Sequence, residues 1–140
     1  MMLFPERPII QAVKGEDYLW ELKEDYMDTL TGVHISEGYR FDGASIPRCF
    51  WRLVGHPMQG NVLPAALLHD AKYSSQYGTK KEADKEFLFD MKDCGVPFFK
   101  RWVFFIAVSC FGKKSWDENR RGVEWAREFV DVEGDEYERE

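Results

Sequence analysis

The sequence contains few cysteines, and their arrangement excludes the commonest structural uses of this residue. Cys49, Cys94 and Cys110 are odd in number and widely spaced, and the chain has neither a Cys-x-x-Cys pair nor a His-x-x-x-His pair. A disulfide framework is therefore not expected, and a zinc site has little support. A reduced, cytoplasmic protein is the simplest interpretation.

Long hydrophobic runs are also absent. The most apolar stretch, residues 102–111, has ten residues, whereas a transmembrane helix needs about 20, so no transmembrane segment is expected. Because this stretch is apolar nearly all round, we expect a buried helix there rather than one lying in the plane of a membrane. The first ten residues carry a proline and charges too early for a signal peptide, so secretion by that route is not expected.

Basic residues show no excess that would suit a nucleic acid. The net charge is −6, and residues 131–140 carry six acidic side chains and one arginine, so most of that charge lies at the C-terminus. Without a basic face, binding of nucleic acid is not predicted. We expect residues 1–130 to form one domain, which is a common size, and the acidic residues 131–140 to form a disordered tail.

Hydrophobic periodicity predicts an α+β fold, in which short N-terminal antiparallel strands pack on a bundle of three to four helices. Apolar residues alternate with polar ones around Trp20–Leu22, Val33–Ile35 and Tyr39–Phe41, which is typical of half-buried strands. Proline, glycine and capping-box signals then delimit helices. The predicted helices run over residues 63–76, 79–93, 97–112 and 117–130.

One acidic residue stands where the pattern predicts an apolar one. Asp84, Phe87, Leu88 and Met91 fall at i, i+3, i+4 and i+7 of the second helix, and a carboxylate on a buried stripe is costly unless it is paired. His69 lies on a mostly apolar face of the preceding helix, and a short connection makes the two helices antiparallel neighbours. We therefore predict that Asp84 contacts His69, fixes its tautomer and leaves its second nitrogen as a base toward solvent or substrate.

A metal site is a further possibility beside this pair. Asp70 points about 100° around the helix from His69 and is placed to face the constrained loop that begins at Asp42. Two carboxylates and loop carbonyls would suit Ca²⁺ or Mg²⁺. The alternative is structural: a lone His–Asp pair between helices is more often structural than catalytic, and Asp42 is by type a turn former. Ser45 has little support as a nucleophile, because its neighbours lack the G-x-S-x-G elbow.

Four segments resemble a known family when they are taken in order. They are Phe-Asp-Gly-Ala-Ser-Ile-Pro-Arg at 41–48, Ala-Leu-Leu-His-Asp-Ala-Lys-Tyr at 66–73, Ala-Asp-Lys-Glu-Phe at 83–87, and Phe111-Gly112 ahead of Trp116. Together they resemble a phage and prophage family catalogued as domain of unknown function 1353, over about residues 33–117. The resemblance implies a bacteriophage-encoded protein and supplies no known activity.

A second, partial resemblance concerns the helices alone. His-Asp-x-x-Tyr followed by Ala-Asp-x-x-Phe is similar to the active-site helices of secreted and parvoviral phospholipases A2. This resemblance implies His69 as the general base on a water, Asp70 as a calcium ligand, and Tyr73 and Asp84 as supporting residues. The glycine-rich calcium loop and the disulfides of those enzymes are not recognisable here, and this domain begins with strands.

Two functions follow from these observations. The first is a metal-assisted hydrolase that acts on an ester or amide of a lipid or cell-wall substrate when the phage enters or lyses the cell. The second is a non-enzymatic virion, tail or host-interaction protein, in the host cytoplasm or in the virion, whose His69–Asp70–Asp84 network is structural. Binding of a small molecule without turnover would use the same cleft and is not separated from these two by the sequence.

Overall fold

Two small antiparallel sheets and six α-helices make up the part of the chain that the computed structural model describes, which is residues 8–15, 19–28, 32–42, 46, 48–55 and 60–132. The α+β class predicted from the sequence is confirmed. One sheet has the strand order β1-β2-β5 and the other the order β3-β4-β6. The strands are β1 (Ile10–Ala12), β2 (Trp20–Leu22), β3 (Tyr26–Asp28), β4 (Val33–Ile35), β5 (Arg40–Phe41) and β6 (Val130–Val132).

The strands expected from alternation are present, and three others were missed. β3 was missed because it lies in a mostly polar stretch of sequence. Its burial does not follow polarity, since Tyr26 and Asp28 are buried while the apolar Met27 is exposed. β6 was assigned partly to a helix and partly to the disordered tail. It instead pairs antiparallel with β4, with Val130 opposite Ile35. Residues 133–140 lie outside the described residues.

The helices begin and end largely where local signals place them. Thr79 caps its helix by accepting a hydrogen bond from the backbone N–H of Glu82, as the capping box predicts. The predicted last helix starts earlier than expected and is interrupted by a 3₁₀ turn at Arg120–Gly122. The helices are α1 (Trp51–Val54), α2 (Leu63–Ser75), α3 (Lys80–Asp93), α4 (Phe98–Phe111), α5 (Lys113–Asn119) and α6 (Val123–Arg127).

Helix α2 lies at the centre of the fold. Eleven of its 13 residues are buried, and its Leu67 and Leu68 belong to the same buried cluster as Leu22 and Ile35 of the sheets. His69 is buried on this helix at 1% exposure, so its ring must find a hydrogen-bond partner inside the protein. The site described below is the consequence of this requirement.

Helix α4 is not the buried helix that its composition predicts. Phe104, Ala107 and Val108 are buried, but Phe98 is 68% exposed and Ile106 is 52% exposed. Helix α4 packs mainly on α3 and also contacts α1 and α5, and the side that carries Phe98, Phe99, Trp102 and Ile106 is exposed. A run that is apolar all round gives no indication of which side is covered, and this is why the prediction was wrong. No helix in the described part of the chain is both long and apolar enough to span a membrane.

Candidate functional site

His69 and Asp84 are in contact, as their positions on two antiparallel helices predicted. His69 Nε2 lies 2.8 Å from Asp84 Oδ1, and both residues are buried, at 1% and 3% exposure. Burial lowers the pKa of His69, against the hydrogen bond and charge of Asp84, which raise it. We therefore assign a neutral imidazole whose Nε2–H donates to the carboxylate.

Asp84 is held by two further donors from different elements. Tyr73 Oη donates to the same Oδ1 at 2.7 Å, and Lys80 Nζ donates to Oδ2 at 2.7 Å. Burial raises the pKa of Asp84, but the hydrogen bonds from His69, Lys80 and Tyr73 outweigh it and hold the pKa below its usual value. The cation that balances the carboxylate is therefore Lys80, which also donates to the Val108 carbonyl at 3.0 Å and so links α3 to α4.

Residues from the resembled motifs pack directly around this network. The Phe87 ring stacks on His69 with centroids 4.5 Å apart, and Trp116 meets the Tyr73 ring edge-on at 5.1 Å. Gly112 is needed for space, because a Cβ there would lie 2.6 Å from Tyr73 Oη. Each of these positions is thus explained by packing around the buried carboxylate.

The expected opening of the imidazole to solvent is wrong. At 1% exposure the His69 side chain does not reach water, and it lines neither of the two cavities that flank the network. The buried ring joins α2 to α3 through its contact with Asp84.

Asp70 and Asp42 do share a cleft, on the other side of α2. The cleft holds about 160 Å³ and is also lined by Arg40, Ser74 and Asn119. Burial raises the pKa of Tyr39 beside it, and the charges of Asp70 and Asp42 add to that rise. No cluster of three or more metal-ligating side chains occurs among the described residues. The loop residues 43–45, whose carbonyls the prediction includes, lie outside the described residues, so the metal site stays a prediction. Ser45 lies outside the described residues.

A second buried carboxylate escaped the sequence analysis. Asp90 of α3 is 8% exposed, and its Oδ2 accepts no hydrogen bond from any described residue. Lys72 Nζ of α2 lies 3.7 Å away and also pairs with Glu86. Burial raises the pKa of Asp90 to about 7, against the charge of Lys72. The predicted apolar stripe of α3 gave no signal for it, because residue 90 is not one of the four positions of that stripe.

The architecture and the buried network define an α+β protein in which three helices are joined through one carboxylate. The chain matches the model of a family described as Protein of unknown function (DUF1353) over residues 20–108, and it belongs to that family. It is 34% identical over 97 residues to "Uncharacterized protein y4jT" of Sinorhizobium fredii (strain NBRC 101917 / NGR234). That match covers 67% of this chain and 29% of the relative, so the chain spans about three tenths of the relative's length. No solved structure matches the chain.

Proposed function

We propose that this protein works by binding, as a non-enzymatic phage protein, and that its His69–Asp84 network is structural. The observation that carries the proposal is the uncovered apolar side of α4. Phe98, Phe99, Trp102 and Ile106, here called the α4 face, are 68%, 64%, 37% and 52% exposed. Soluble monomers rarely leave so contiguous an aromatic surface uncovered without using it for an interaction.

The buried network supports the same proposal from inside. A general base must reach the proton that it abstracts directly or through one water, and His69 is enclosed between Phe87, Tyr73 and Asp84. A carboxylate with three donors is a stable way to join helices that would otherwise bury an unpaired charge. The resemblance of the ordered motifs to phage and prophage proteins supports a bacteriophage origin, in the host cytoplasm or in the virion.

A photo-crosslinking experiment tests the proposal. A photoreactive phenylalanine analogue is introduced at Phe99, on the α4 face, and separately at Met27, a control residue of β3 that is 53% exposed. In cells that make the protein we expect a defined adduct from position 99 and none from position 27. Equal labelling from both positions, or none from position 99, contradicts a binding function for the α4 face.

The metal-assisted hydrolase is a second candidate, and the cleft that Asp70 and Asp42 share favours it. In this reading Ca²⁺ or Mg²⁺ would bind at the two carboxylates, on the side of α2 away from the His69–Asp84 pair. Purified protein should then hydrolyse a lipid or cell-wall ester or amide when the metal is added, and Asp70→Asn should remove the activity without unfolding the protein. No turnover with Ca²⁺, Mg²⁺ or Zn²⁺ would leave the binding function.

A further inference from the structure

An aromatic ladder runs along α4 and ends in a groove against α3. Phe98, Trp102, Phe105 and Ser109 recur at i, i+4, i+7 and i+11, so they share one side of the helix. The Phe98 and Trp102 ring centroids are 6.1 Å apart, and those of Trp102 and Phe105 are 5.5 Å apart. The exposed end of the ladder is thus continuous with the part that enters the groove.

The groove combines an apolar floor with a basic edge. It holds about 800 Å³, and Leu88, Phe89 and Phe105 line it together with Lys81 and Lys85. Leu88 is partly buried, and Phe89 is 53% exposed, so the apolar surface of α4 extends onto α3.

The charges at this edge are not neutralised by the protein. Among the described residues, Asp84 is the only carboxylate that lines the groove, and Lys80 already pairs with it at 2.7 Å. Lys81 and Lys85 are exposed and form no salt bridge within the described residues. An otherwise acidic chain therefore presents a basic edge beside the exposed apolar side of α4, and this edge is complementary to an anionic apolar surface.

We infer that the α4 face and the basic edge of the groove, formed by Lys81 and Lys85 of α3, bind the surface of a membrane that contains anionic lipids. Aromatic side chains at the level of the headgroups, with lysines beside them, are the combination that holds peripheral proteins at that surface. The protein would lie on the bilayer with α4 in its interface. This inference rests on the proposed binding function and names its partner.

Two other occupants fit the surface less well. In a two-fold dimer formed through this groove, Lys81 and Lys85 would face their own copies and repel them. A single acidic helix laid in the groove would contact a narrow strip along α4. Phe98 and Phe99 point about 100° apart and both are more than 60% exposed, so such a helix would cover only one of them. A broad surface contacts both phenylalanines at once.

Vesicle sedimentation tests the inference on the full chain. We expect binding to phosphatidylcholine vesicles that contain phosphatidylglycerol, little binding to phosphatidylcholine alone, and weaker binding as salt is raised. The double variant Lys81→Glu/Lys85→Glu should weaken binding by at least about tenfold. The matched variant Lys14→Glu/Lys23→Glu, which changes two exposed lysines near the first sheet, should leave binding unchanged.

The apolar contribution is tested in the same assay. Phe98→Ser/Phe99→Ser should reduce binding by at least about tenfold, whereas the control Met27→Ser should not change it. Because both phenylalanines are largely exposed, the unfolding midpoint of the variant should match that of the parent protein. If it does not, lipid adducts formed by the photoreactive analogue at position 99 on the same vesicles replace this variant as the readout.

The inference is overturned if the protein does not bind anionic vesicles, or if the control variants lose as much binding as the test variants. The proposed function can fail separately from it. A protein adduct from position 99 in cells, together with no vesicle binding, removes the membrane and keeps the binding function. The absence of adducts and of vesicle binding removes both.

Discussion

Asp84 is the residue that organises the interior of this protein. Its two oxygens accept hydrogen bonds from His69, Tyr73 and Lys80, and the donors come from α2 and from the first turn of α3. The neutral state of His69 follows from burial, and the positive charge of Lys80 then balances the carboxylate. Removal of any one of these donors should therefore lower the free energy of unfolding by a measurable amount.

His69→Ala should lower the free energy of unfolding by about 2–4 kcal/mol, because it removes one donor to a buried carboxylate and the ring that stacks on Phe87. Urea unfolding measures the change. His34→Ala is the matched control, since His34 is partly exposed in β4 and lies 4.0 Å from Asp25; its effect should stay below about 0.5 kcal/mol. A His69→Ala protein as stable as the parent would contradict a structural network.

Asp90 predicts a dependence of stability on pH. Burial raises its pKa from 3.8 to about 7 in the folded state, so between these pH values the unfolded chain has lost a proton that the folded chain keeps. Stability should therefore fall as the pH rises through this window and level off above it. Asp90→Asn should remove the fall and be more stable than the parent at pH 8, by about 1–3 kcal/mol.

Unfolding by urea at pH 4, 6 and 8 measures this effect. At pH 4 the parent and Asp90→Asn should agree within about 0.5 kcal/mol, because Asp90 is neutral in the folded parent. Glu118→Gln, at an exposed position of α5, is the control and should change the difference between pH 4 and pH 8 far less. A difference between Asp90→Asn and the parent that is the same at all three pH values contradicts the assignment.

A buried carboxylate could be predicted from the sequence only where a pattern within its own helix indicated it. Asp84 was predicted to meet His69 because it interrupts an apolar stripe on its own helix, next to a short connection. Asp90 lies outside that stripe, so only the packing of α2 on α3, which brings Lys72 to 3.7 Å from it, shows the buried carboxylate. The catalytic roles assigned to His69 and Asp84 stay predictions.

At the scale of elements, the end of α4 approaches α2 through a residue without a side chain. Gly112 follows α4 directly, and a Cβ there would lie 2.5 Å from the Val108 carbonyl oxygen and 2.6 Å from Tyr73 Oη. Its φ of −81° suits any residue, so the requirement is for space alone. The glycine in the resembled motif is thereby explained by how closely α4 passes Tyr73.

Gly112→Ala should therefore destabilise the protein by about 1–3 kcal/mol, because the added methyl group must displace Tyr73 from Asp84 or move the end of α4. Gly122→Ala is the matched control, since nothing lies within 4 Å of a Cβ at that position. Its midpoint in urea should stay within about 0.5 kcal/mol of the parent. Equal stability of the two variants would show that Tyr73 has room to move.

Of the three strands that sequence analysis missed, β6 is the one whose partner lies far along the chain. The capping box of α3 and the proline in the first turn of α2 are local, and both were predicted correctly. β6 forms only because β4, about 95 residues earlier, presents an edge to it. The exposure of α4 likewise depends on which neighbours the fold supplies, and no pattern within residues 98–111 contains that information.

At the scale of the whole molecule, β6 brings a C-terminal segment into the same sheet as the N-terminal strand β4. Val130 is buried at 1% exposure, pairs with Ile35, and its carbonyl accepts a hydrogen bond from Tyr77 Oη at 3.3 Å. The sheet β3-β4-β6 therefore includes both N-terminal and C-terminal strands. Residues 131 and 132, which composition assigns to the tail, therefore belong to the folded domain.

Two truncated chains test whether β6 belongs to the folded domain. A chain that ends at Val132 should unfold in urea within about 1 kcal/mol of the parent and with the same slope, because it keeps β6. A chain that ends at Phe129 should lose at least about 2 kcal/mol, because it loses the buried Val130 and leaves the edge of β4 unpaired. Tryptophan fluorescence and circular dichroism should report one coincident transition in each case, as expected when the sheets and helices unfold together. Two separate transitions, or equal stability of the two truncated chains, would show that β6 does not join the ends of the chain into one cooperative unit.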